Sequence, residues 1–277
     1  VDGWLVRTNR DGAQIGEWRA RFLVGADGAA SFTRRRLVGI FPARDLAVAF
    51  GYNVVEASDE GRSHDEVIVR FPKDFTGYLW AFPRPGVMNF GVASKLGERR
   101  SDELRELLSG FVRDYYGGRM PSPDRLTFFG AKIPTLELDA WSGLQTAGED
   151  WALIGDAAGF ADPITGEGIY YALKSADVLA DALQEASRDS GPIMFADVGP
   201  AYERLWRDGF GRELVHASYR LPQFYHGRFF GQVITDAMVT LARFHRGVRH
   251  ILVNALMGEQ SYVTLKRDLL RSAYRVI

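Results

Sequence analysis

The sequence predicts a mixed fold of α+β and α/β character, with an antiparallel sheet, a short parallel strand–loop–helix unit and a C-terminal helical region. Three observations predict it. Strand-like segments recur at short spacing between residues 46 and 133, which favours antiparallel pairing. Residues 151–154 form a short apolar strand before a glycine-rich loop, which is typical of parallel sheets. From Ala201 onward the pattern predicts helices.

Composition excludes several function classes. The chain has 277 residues, of which 46% are hydrophobic and 25% charged, and its formal net charge is -1. This charge balance excludes nucleic-acid binding driven by bulk charge, and the absence of cysteine excludes disulfides, thiolate metal sites and thiol nucleophiles. The sequence shows no long apolar run and no signal-peptide pattern, so we predict a cytoplasmic location.

The first elements are predicted to be two strands. The segment 4–8 alternates loosely, and residues 9–12 have turn chemistry. The segment 18–24 returns as a strand that becomes apolar before Gly25. Asp27 and Gly28 come directly after it as a second turn.

The middle of the chain is predicted to be a sheet with one helix. The strand candidates are residues 46–55, 66–71, 78–82, 87–93 and 126–133. A helix is expected from Ser101, as its N-cap, to about Tyr116, and Gly117 and Gly118 are expected to end it. A further long helix is expected from about Gly166 to Ala186.

The segment 151–169 is the strongest candidate site. A strand delivers Asp156 at its carboxyl end, where α/β sheets bind ligands and where a carboxylate can accept hydrogen bonds from sugar hydroxyls. The small residues after it allow a ligand close to the backbone, and the helix start favours anionic oxygen. The alternative to a ligand site is a glycine-rich connection between strand and helix that serves packing alone. The candidate ligand-binding residues are Gly155, Asp156, Ala157, Pro163, Gly166, Gly168 and Ile169.

Two further segments carry weaker signals. Asp27 and Gly28 could form a simple turn, with Ser31 capping a short helix whose three arginines (34–36) either lie in solvent or face phosphate groups. Tyr78, Trp80 and Phe82 alternate along a strand and therefore share one face, which is either sheet core or a cavity wall.

Together, these segments resemble the flavoprotein superfamily typified by para-hydroxybenzoate hydroxylase and the geranylgeranyl reductases. The pattern G-A-D-G-x-x-S-x-x-R is matched by Gly25, Ala26, Asp27, Gly28, Ser31 and Arg34. The pattern G-D-A-A-G-x-x-x-P-x-T-G-E-G-I is matched by Gly155, Asp156, Ala157, Ala158, Gly159, Pro163, Thr165, Gly166, Glu167, Gly168 and Ile169. Aromatic hydroxylases of the superfamily usually carry His in place of Gly159 and Gln in place of Glu167, which favours the reductase branch.

A third match supports that branch. Tyr78, Trp80, Phe82 and Pro83 fit the Y-x-W-x-F-P-K signature of geranylgeranyl reductases, with Arg84 in place of Lys. The resemblance implies that these four residues line a substrate cavity. It also implies non-covalent FAD, held by Asp27 and Gly28 together with the candidate residues of segment 151–169.

The resemblance implies a domain organisation and a reaction. Residues 1–36 and 150–190 correspond to the FAD-binding (Rossmann-like) domain, 37–149 to an antiparallel-sheet substrate domain and 191–277 to a C-terminal helical region. Reduced flavin would deliver hydride to an isoprenoid double bond, with NAD(P)H or another donor supplying electrons. No catalytic residue and no metal ligand is assigned. Two interpretations of Glu167 stay open: it is a proton donor, or it is a carboxylate placed at the positive end of a helix.

One expected motif is missing. The sequence contains no G-x-G-x-x-G, the pattern that binds the cofactor pyrophosphate in this superfamily. We therefore expect a truncated FAD-binding domain that binds FAD weakly or not at all. An N-terminal segment in trans or a second copy is the partner that this expectation suggests.

The composition of the C-terminal region suggests that it contacts a membrane surface. Residues 201–277 hold 12 Lys or Arg against 6 Asp or Glu, and Arg243, Arg246 and Arg249 recur at helical spacing beside Phe244. The segment 224–230 also mixes aromatic with basic residues. The alternatives are a solvated basic face and peripheral docking to anionic lipid. His216, His226, His245 and His250 show no metal-binding pattern.

The favoured function is an FAD-dependent reductase of prenyl or related lipid substrates. One alternative is a monooxygenase or halogenase of the same superfamily. A second alternative is a catalytically silent fragment or partner-binding subunit, which the missing glycine motif supports.

Overall fold

The computed structural model describes residues 3–55, 66–72, 75–187, 192–229, 232–256 and 258–274. The strands are β1 (Trp4–Arg10), β2 (Ala13–Ala20), β3 (Leu23–Gly25), β4 (Leu46–Val55), β5 (Ile68–Arg70), β6 (Gly77–Arg84), β7 (Val87–Lys95), β8 (Leu126–Pro134), β9 (Trp151–Leu153), β10 (Arg228–Phe229) and β11 (Gln232–Val233). The helices are α1 (Phe32–Leu37), α2 (Ser101–Tyr115), α3 (Gly155–Ala158), α4 (Ile169–Glu185), α5 (Phe195–Asp208), α6 (Gly211–His226), α7 (Ile234–Phe244), α8 (Arg246–Leu256) and α9 (Leu265–Tyr274). The predicted mixed class is confirmed.

The chain forms two compact units. The first comprises Val1–Ile40, Leu138–Asp162 and Glu167–Val215, and the second comprises Phe41–Glu137, Pro163–Gly166 and His216–Ile277. The expected C-terminal region therefore contributes to both units, with residues 191–215 in the first and 216–277 in the second. The assignment of parts of the chain to an FAD-binding domain, a substrate domain and a C-terminal helical region remains a prediction.

The first unit holds a hairpin and a two-stranded parallel sheet. Strands β1 and β2 pair antiparallel, and Asp11 and Gly12 at their turn have φ of 51° and 82°. The prediction of a single strand over residues 18–24 is wrong, because β2 ends at Ala20 and β3 begins only at Leu23. The two pieces have different partners, since β2 pairs with β1 whereas β3 pairs parallel with β9.

The second unit holds an antiparallel sheet in the order β5-β6-β7-β4-β8. All five strands predicted for the middle of the chain are present, with ends that differ by up to two residues. One face of the sheet packs on α2. The buried residues of this core are Phe50, Val54, Phe75, Leu79, Ala81, Met88, Phe90, Val92, Leu104, Leu108, Phe111 and Val112.

The helix ends differ from the prediction in instructive ways. Arg100, and not Ser101, is the N-cap of α2, and no side chain caps it, whereas Gly117 and Gly118 come after its end in the left-handed region as predicted. Helix α4 begins at Ile169, because Gly166 has φ of 71° and cannot continue a helix. Within the predicted loop, the chain forms the short helix α3.

The C-terminal region is not wholly helical. The short antiparallel pair β10–β11 interrupts it. Across the described ranges, no helix is both long and apolar enough to cross a membrane.

Candidate functional site

The first unit places the two predicted aspartates after neighbouring parallel strands. Leu23 pairs with Trp151 and Gly25 with Leu153, so β3 and β9 run in register. Asp27 comes after the end of β3 and Asp156 after the end of β9. Because the carboxyl ends of parallel strands meet at one edge of a sheet, this edge is the expected ligand side of the unit.

The Asp27 carboxylate is engaged by residues further along the same turn. Oδ1 accepts a hydrogen bond from the Ser31 hydroxyl, and Oδ2 accepts bonds from the Thr33 backbone N–H at 2.9 Å and the Thr33 hydroxyl at 3.1 Å. Burial by itself raises the pKa of Asp27, but these hydrogen bonds outweigh it and hold the pKa below its usual range. Asp27 thus organises the turn and the start of α1.

The arginine run at α1 divides into different environments. Ser31 is the N-cap, as predicted, and its hydroxyl accepts a bond from the Arg34 N–H at 2.7 Å. Arg34 is buried and donates to the Ala157 carbonyl at 3.4 Å, whereas Arg35 and Arg36 are exposed. Arg34 therefore links the two predicted motifs, and only the other two arginines form a solvated face.

The hydrogen bonding and the pKa of the Asp156 carboxylate differ from those of Asp27. The preceding Gly155 has φ of 56° and donates its N–H to the Ser175 hydroxyl at 2.9 Å, which fixes the turn from β9 into α3. The Asp156 carboxylate is half-buried and makes no side-chain hydrogen bond to any residue that the structure describes. Burial raises its pKa above the usual range, and the nearby Glu167 carboxylate adds to the rise. An acceptor of this kind is available to a ligand.

The start of α4 lies beside this carboxylate. A Cβ added at Gly168, the N-cap of α4, would come within 2.9 Å of Asp156 Oδ1, so glycine allows the close approach. The side chain of Glu167 caps the helix, because its Oε1 accepts the Tyr170 N–H at 2.8 Å. The position of Glu167 at the positive end of the helix, one of the two interpretations left open, is therefore confirmed.

In the second unit, the short segment Pro163–Gly166 packs near the end of the sheet. The Tyr78 hydroxyl donates to the Thr165 carbonyl, and the Tyr225 hydroxyl donates to the Ile164 carbonyl at 2.8 Å. A cavity of about 30 Å³ lies here. Its lining includes Ala47, Tyr78, Ala93, Ile133, Pro163 and Gly166.

The face of this sheet away from α2 carries the predicted aromatic residues. Tyr78, Trp80 and Phe82 share it, as their alternation predicts, with ring centroids 5.6 Å and 6.0 Å apart along the strand. Pro83 is opposite Met88, whose side chain is in the core on the α2 side, so alternation along β6 puts Pro83 on the other face and it does not share a cavity wall with the three rings. Trp80 is buried, and its indole N–H donates to Asn89 Oδ1 at 2.7 Å.

A pair of asparagines on this face was not predicted from the sequence. Asn89 Nδ2 donates to Asn53 Oδ1 at 2.7 Å across β7 and β4. The sequence held one signal for this pair, because two short segments carry similar residues in reversed order. Residues 51–53 read Gly-Tyr-Asn and residues 89–91 read Asn-Phe-Gly, which places like residues opposite each other in antiparallel strands.

The basic C-terminal residues are partly used for structure. Arg249 donates to the Ala242 and Arg243 carbonyls, both at 2.9 Å, at the end of α7. Phe244 is 85% exposed beside it. Phe230, in the predicted aromatic–basic segment, lies outside the described residues. Within the described part of the chain, no group of three or more potential metal-ligating side chains converges.

Known proteins are similar to this chain in sequence and in fold. Geranylgeranyl diphosphate reductase of Rhodobacter capsulatus is 30% identical over 232 residues, which are 77% of this chain and 53% of that protein. Digeranylgeranylglycerophospholipid reductase of Methanosarcina mazei is 29% identical over 210 residues, which are 72% of this chain and 47% of that protein. The chain thus spans about half the length of the curated relatives that it matches.

A solved structure is similar to this chain in fold. The crystal structure of a geranylgeranyl bacteriochlorophyll reductase-like protein from Thermoplasma acidophilum has a TM-score of 0.58 at 20% identity, covering 90% of this chain and 68% of that one. At this identity the match shows the fold alone. No protein-family model matches the chain. The resemblance carried by the sequence motifs is nevertheless confirmed by the relatives, and the chain is homologous to the geranylgeranyl reductases, a family of FAD-dependent oxidoreductases.

Proposed function

We propose that this chain supplies part of an FAD-dependent oxidoreductase that saturates double bonds of a prenyl chain in a lipid-like substrate. The observation that carries the proposal is the kinship with two reductases whose names specify geranylgeranyl groups. The aromatic face of the second unit supports it, because an apolar surface is what a hydrocarbon chain requires.

The first unit fits the cofactor. Asp156 offers a half-buried acceptor that the described residues leave unbonded, and Gly168 permits close approach to it. We infer that Asp156 accepts hydrogen bonds from ribityl or ribose hydroxyls, while Gly155, Ala157, Gly168 and Ile169 border the same place. Asp27 and Gly28 contribute by ordering the adjacent turn. Pro163 and Gly166, which the sequence pattern also assigns to the cofactor, belong to the second unit and line its cavity.

Bound FAD supplies the hydride chemistry, and the residues of the chain position the reactants. Asp156 orients the cofactor through its hydroxyls. Glu167 keeps the start of α4 capped, so its carboxylate acts there as a helix cap. Tyr78, Trp80 and Phe82 are proposed to contact the prenyl chain, whereas Pro83 lies on the other face of the sheet. The source of electrons is proposed to be NAD(P)H or another reductant.

We expect FAD affinity in this chain to be weak, with a dissociation constant no lower than about 1 μM, because the sequence carries no G-x-G-x-x-G. We also propose peripheral contact with anionic membranes through the basic C-terminal helices. Vesicle co-sedimentation that does not depend on anionic lipid would contradict that contact.

The test of function is a single-turnover reaction. The chain is mixed with excess chemically reduced FAD and geranylgeranyl diphosphate without oxygen, and the product is analysed by mass spectrometry. We expect a mass gain of two hydrogens per reduced bond, lost in the matched variant Asp156→Ala. Unchanged substrate in wild type, under conditions where bound FAD is demonstrated, would contradict the proposal. An oxygenated product in air would instead favour a monooxygenase.

A further inference from the structure

A lysine lies at the end of the sheet face that points away from α2. The strand register places Lys95 opposite Ala47, and Ala47 opposite Ile133, across β7, β4 and β8. Tyr78 and Ala93 form the row before it. Because side chains alternate along a strand, Lys95 projects from the same face as these residues. The packing of this apolar row does not require a charge, so Lys95 calls for another explanation.

The Lys95 ammonium is held by backbone carbonyls. Its Nζ donates to the Arg44 and Thr135 carbonyls, both at 2.6 Å. The Oε1 of Glu137 is 3.9 Å from Nζ, which is beyond hydrogen-bond distance. Because an ammonium has three N–H groups, one of them has no hydrogen-bond acceptor among the residues that the structure describes.

The cavity at Pro163–Gly166 has polar as well as apolar walls. Its volume is about 30 Å³, and its lining includes Thr76, Lys95 and Thr135. Thr135 is 4% exposed, and its hydroxyl has no hydrogen-bond partner within the described part of the chain. A buried hydroxyl costs stability unless it is hydrogen-bonded. Since one water needs about 10–15 Å³, about two waters fit in the cavity and can bond to this hydroxyl.

The charges around Lys95 favour water over an anion as the occupant. Four charged groups act on the ammonium, namely the carboxylates of Glu137, Asp45 and Glu98 and the guanidinium of Arg44. The three carboxylates outnumber the two cations, so the surroundings have no excess positive charge that would attract an anion.

The same surroundings make Lys95 a better acid than an exposed lysine. Burial lowers the pKa of Lys95 below its usual range, although the three carboxylates oppose this effect. A lysine whose pKa is lowered releases its proton more readily near neutral pH.

The cavity also contacts cofactor candidates and a residue that leads to the surface. Pro163 and Gly166, which the sequence pattern assigns to the cofactor, line it. Thr76 lines it too, and the Thr76 hydroxyl is hydrogen-bonded to Nε2 of the exposed His226 at 2.7 Å. Hydroxyl and water thus give a route for protons between solvent and Lys95.

We propose that this cavity is an internal water site, and that Lys95, acting through its waters, supplies the proton that completes saturation of the substrate double bond. The water site rests on the geometry of the second unit alone. The proton role also rests on the proposed function, because it needs a double bond beside Pro163 and Gly166.

The step balances with the groups already named. The π bond of the substrate breaks as one carbon receives a hydride from the reduced cofactor and the other receives a proton from a cavity water. The cofactor loses the electron pair that the substrate gains. Lys95 returns a proton to that water and becomes a neutral amine, and solvent then recharges Lys95 by way of His226 and Thr76.

The water site is tested without any ligand. In a high-resolution crystal structure of the chain, ordered water should lie within hydrogen-bond distance of Thr135 Oγ1 and Lys95 Nζ. Thr135→Val keeps the shape of the side chain but removes the hydroxyl, and should lose the water beside it. A wild-type cavity without ordered water beside either atom would overturn the water site and the proton route through it.

The titration of Lys95 is a second readout that needs no ligand. Its ¹³Cε and ¹⁵Nζ resonances, assigned by their loss in Lys95→Ala, should titrate at lower pH than those of Lys132, an exposed residue of β8. In Thr135→Val the pKa of Lys95 should fall further, because the lost water no longer solvates the ammonium. An unchanged Lys95 titration in Thr135→Val would overturn the contact between Lys95 and the cavity water.

The single-turnover reaction tests the proton role. Lys95→Ala should slow it by about a hundredfold or more, as for the loss of a general acid, and added methylammonium should restore part of the rate. The matched control Lys132→Ala should react like wild type. The wild-type rate should fall as the pH rises through the pKa of Lys95 measured by NMR.

The outcomes separate this inference from the proposed function. If wild type reduces the substrate and folded Lys95→Ala does so with the same rate and pH profile, the proton role is overturned and the proposed function stands. If wild type with demonstrated bound FAD reduces nothing, the proposed function and the proton role fail together, while the crystal structure still decides the water site.

Discussion

Two aspartates in the first unit lie just after neighbouring parallel strands, yet their carboxylates are in opposite states. Asp27 accepts three hydrogen bonds from Ser31 and Thr33, and its pKa is lowered. Asp156 has no side-chain hydrogen bond within the described residues, and its pKa is raised. A shared position at a sheet edge therefore does not imply a shared role, since one carboxylate is already used by the fold.

The physical reason lies in the residues immediately after each aspartate. After Asp27, a hydroxyl at Ser31 and another at Thr33 come within reach as α1 begins. After Asp156 come two alanines and a glycine, none of which has a polar side chain. The second sequence supplies no such donor, and the half-buried Asp156 carboxylate has no side-chain hydrogen bond among the described residues, a state that costs stability and that a ligand with hydroxyls can relieve.

The largest effect is expected from Asp156→Ala. The variant should weaken FAD binding by about tenfold to a hundredfold, because hydrogen bonds to a charged acceptor contribute about 1.5–3 kcal/mol. Flavin fluorescence titration measures the change. Glu149→Ala removes an exposed carboxylate just before β9 and serves as the charge control. Equal loss in both variants would mean that the effect comes from overall charge.

Removing the other aspartate should act on the fold instead. Asp27→Ala is expected to lower the free energy of unfolding by about 1–2 kcal/mol, as for the loss of a helix cap, and to change FAD affinity less than Asp156→Ala does. Urea denaturation measures the first quantity, and Ser31→Ala should be non-additive with it. A loss of FAD affinity as large as that of Asp156→Ala would assign Asp27 a direct ligand contact.

Much of this arrangement could be predicted from local sequence. The apolar strand, the aspartate after it and the glycines of 155–168 indicated the candidate site, which stays a prediction, and alternation placed Tyr78, Trp80 and Phe82 on one face. The roles of the two aspartates could not be separated, because each depends on which side chains the next turn brings within hydrogen-bond distance. Helix α3 was missed for a similar reason, since four residues are too few for a periodic signal.

One row of residues across the sheet of the second unit was beyond prediction from single segments. It requires Trp80, Gly91, Gly51 and Phe129 to fall in one row, and that row is set by pairing among four strands that are far apart in the chain. A slip of one residue in any pairing would move those side chains to the opposite face. The reversed Gly-Tyr-Asn and Asn-Phe-Gly segments indicate one of the pairings, but not the strand order.

The pH dependence of stability should show opposite signs for the two aspartates. Asp27, with its lowered pKa, contributes stability above the unfolded value of 3.8 that is lost as the pH falls through its folded pKa. Asp156, with its raised pKa, costs stability at neutral pH, and that cost is relieved as the pH falls through its folded pKa. Each effect should be smaller than the corresponding substitution.

Unfolding measured from about pH 7 to about pH 3 for wild type, Asp27→Asn and Asp156→Asn checks these signs. Asp156→Asn should be at least as stable as wild type at neutral pH. Lower stability of Asp156→Asn at neutral pH would show that the carboxylate is paired in the folded state.

The smallest effects should come from two glycines beside the aspartates. Gly168→Ala places a Cβ within 2.9 Å of Asp156 Oδ1 and should weaken FAD binding by about two- to fivefold through displacement of the acceptor. The backbone of Gly168 is not in the left-handed region, so stability should change little. Gly28→Ala has open space around the new Cβ but φ of 77°, so it should cost up to about 1 kcal/mol of stability and leave FAD affinity nearly unchanged. The two alanine variants thus repeat the contrast between the aspartates without removing a charge. If Gly28→Ala weakened FAD binding more than Gly168→Ala, the ligand would have to lie against the Asp27 turn, and the assignment of Asp156 as its principal acceptor would fail.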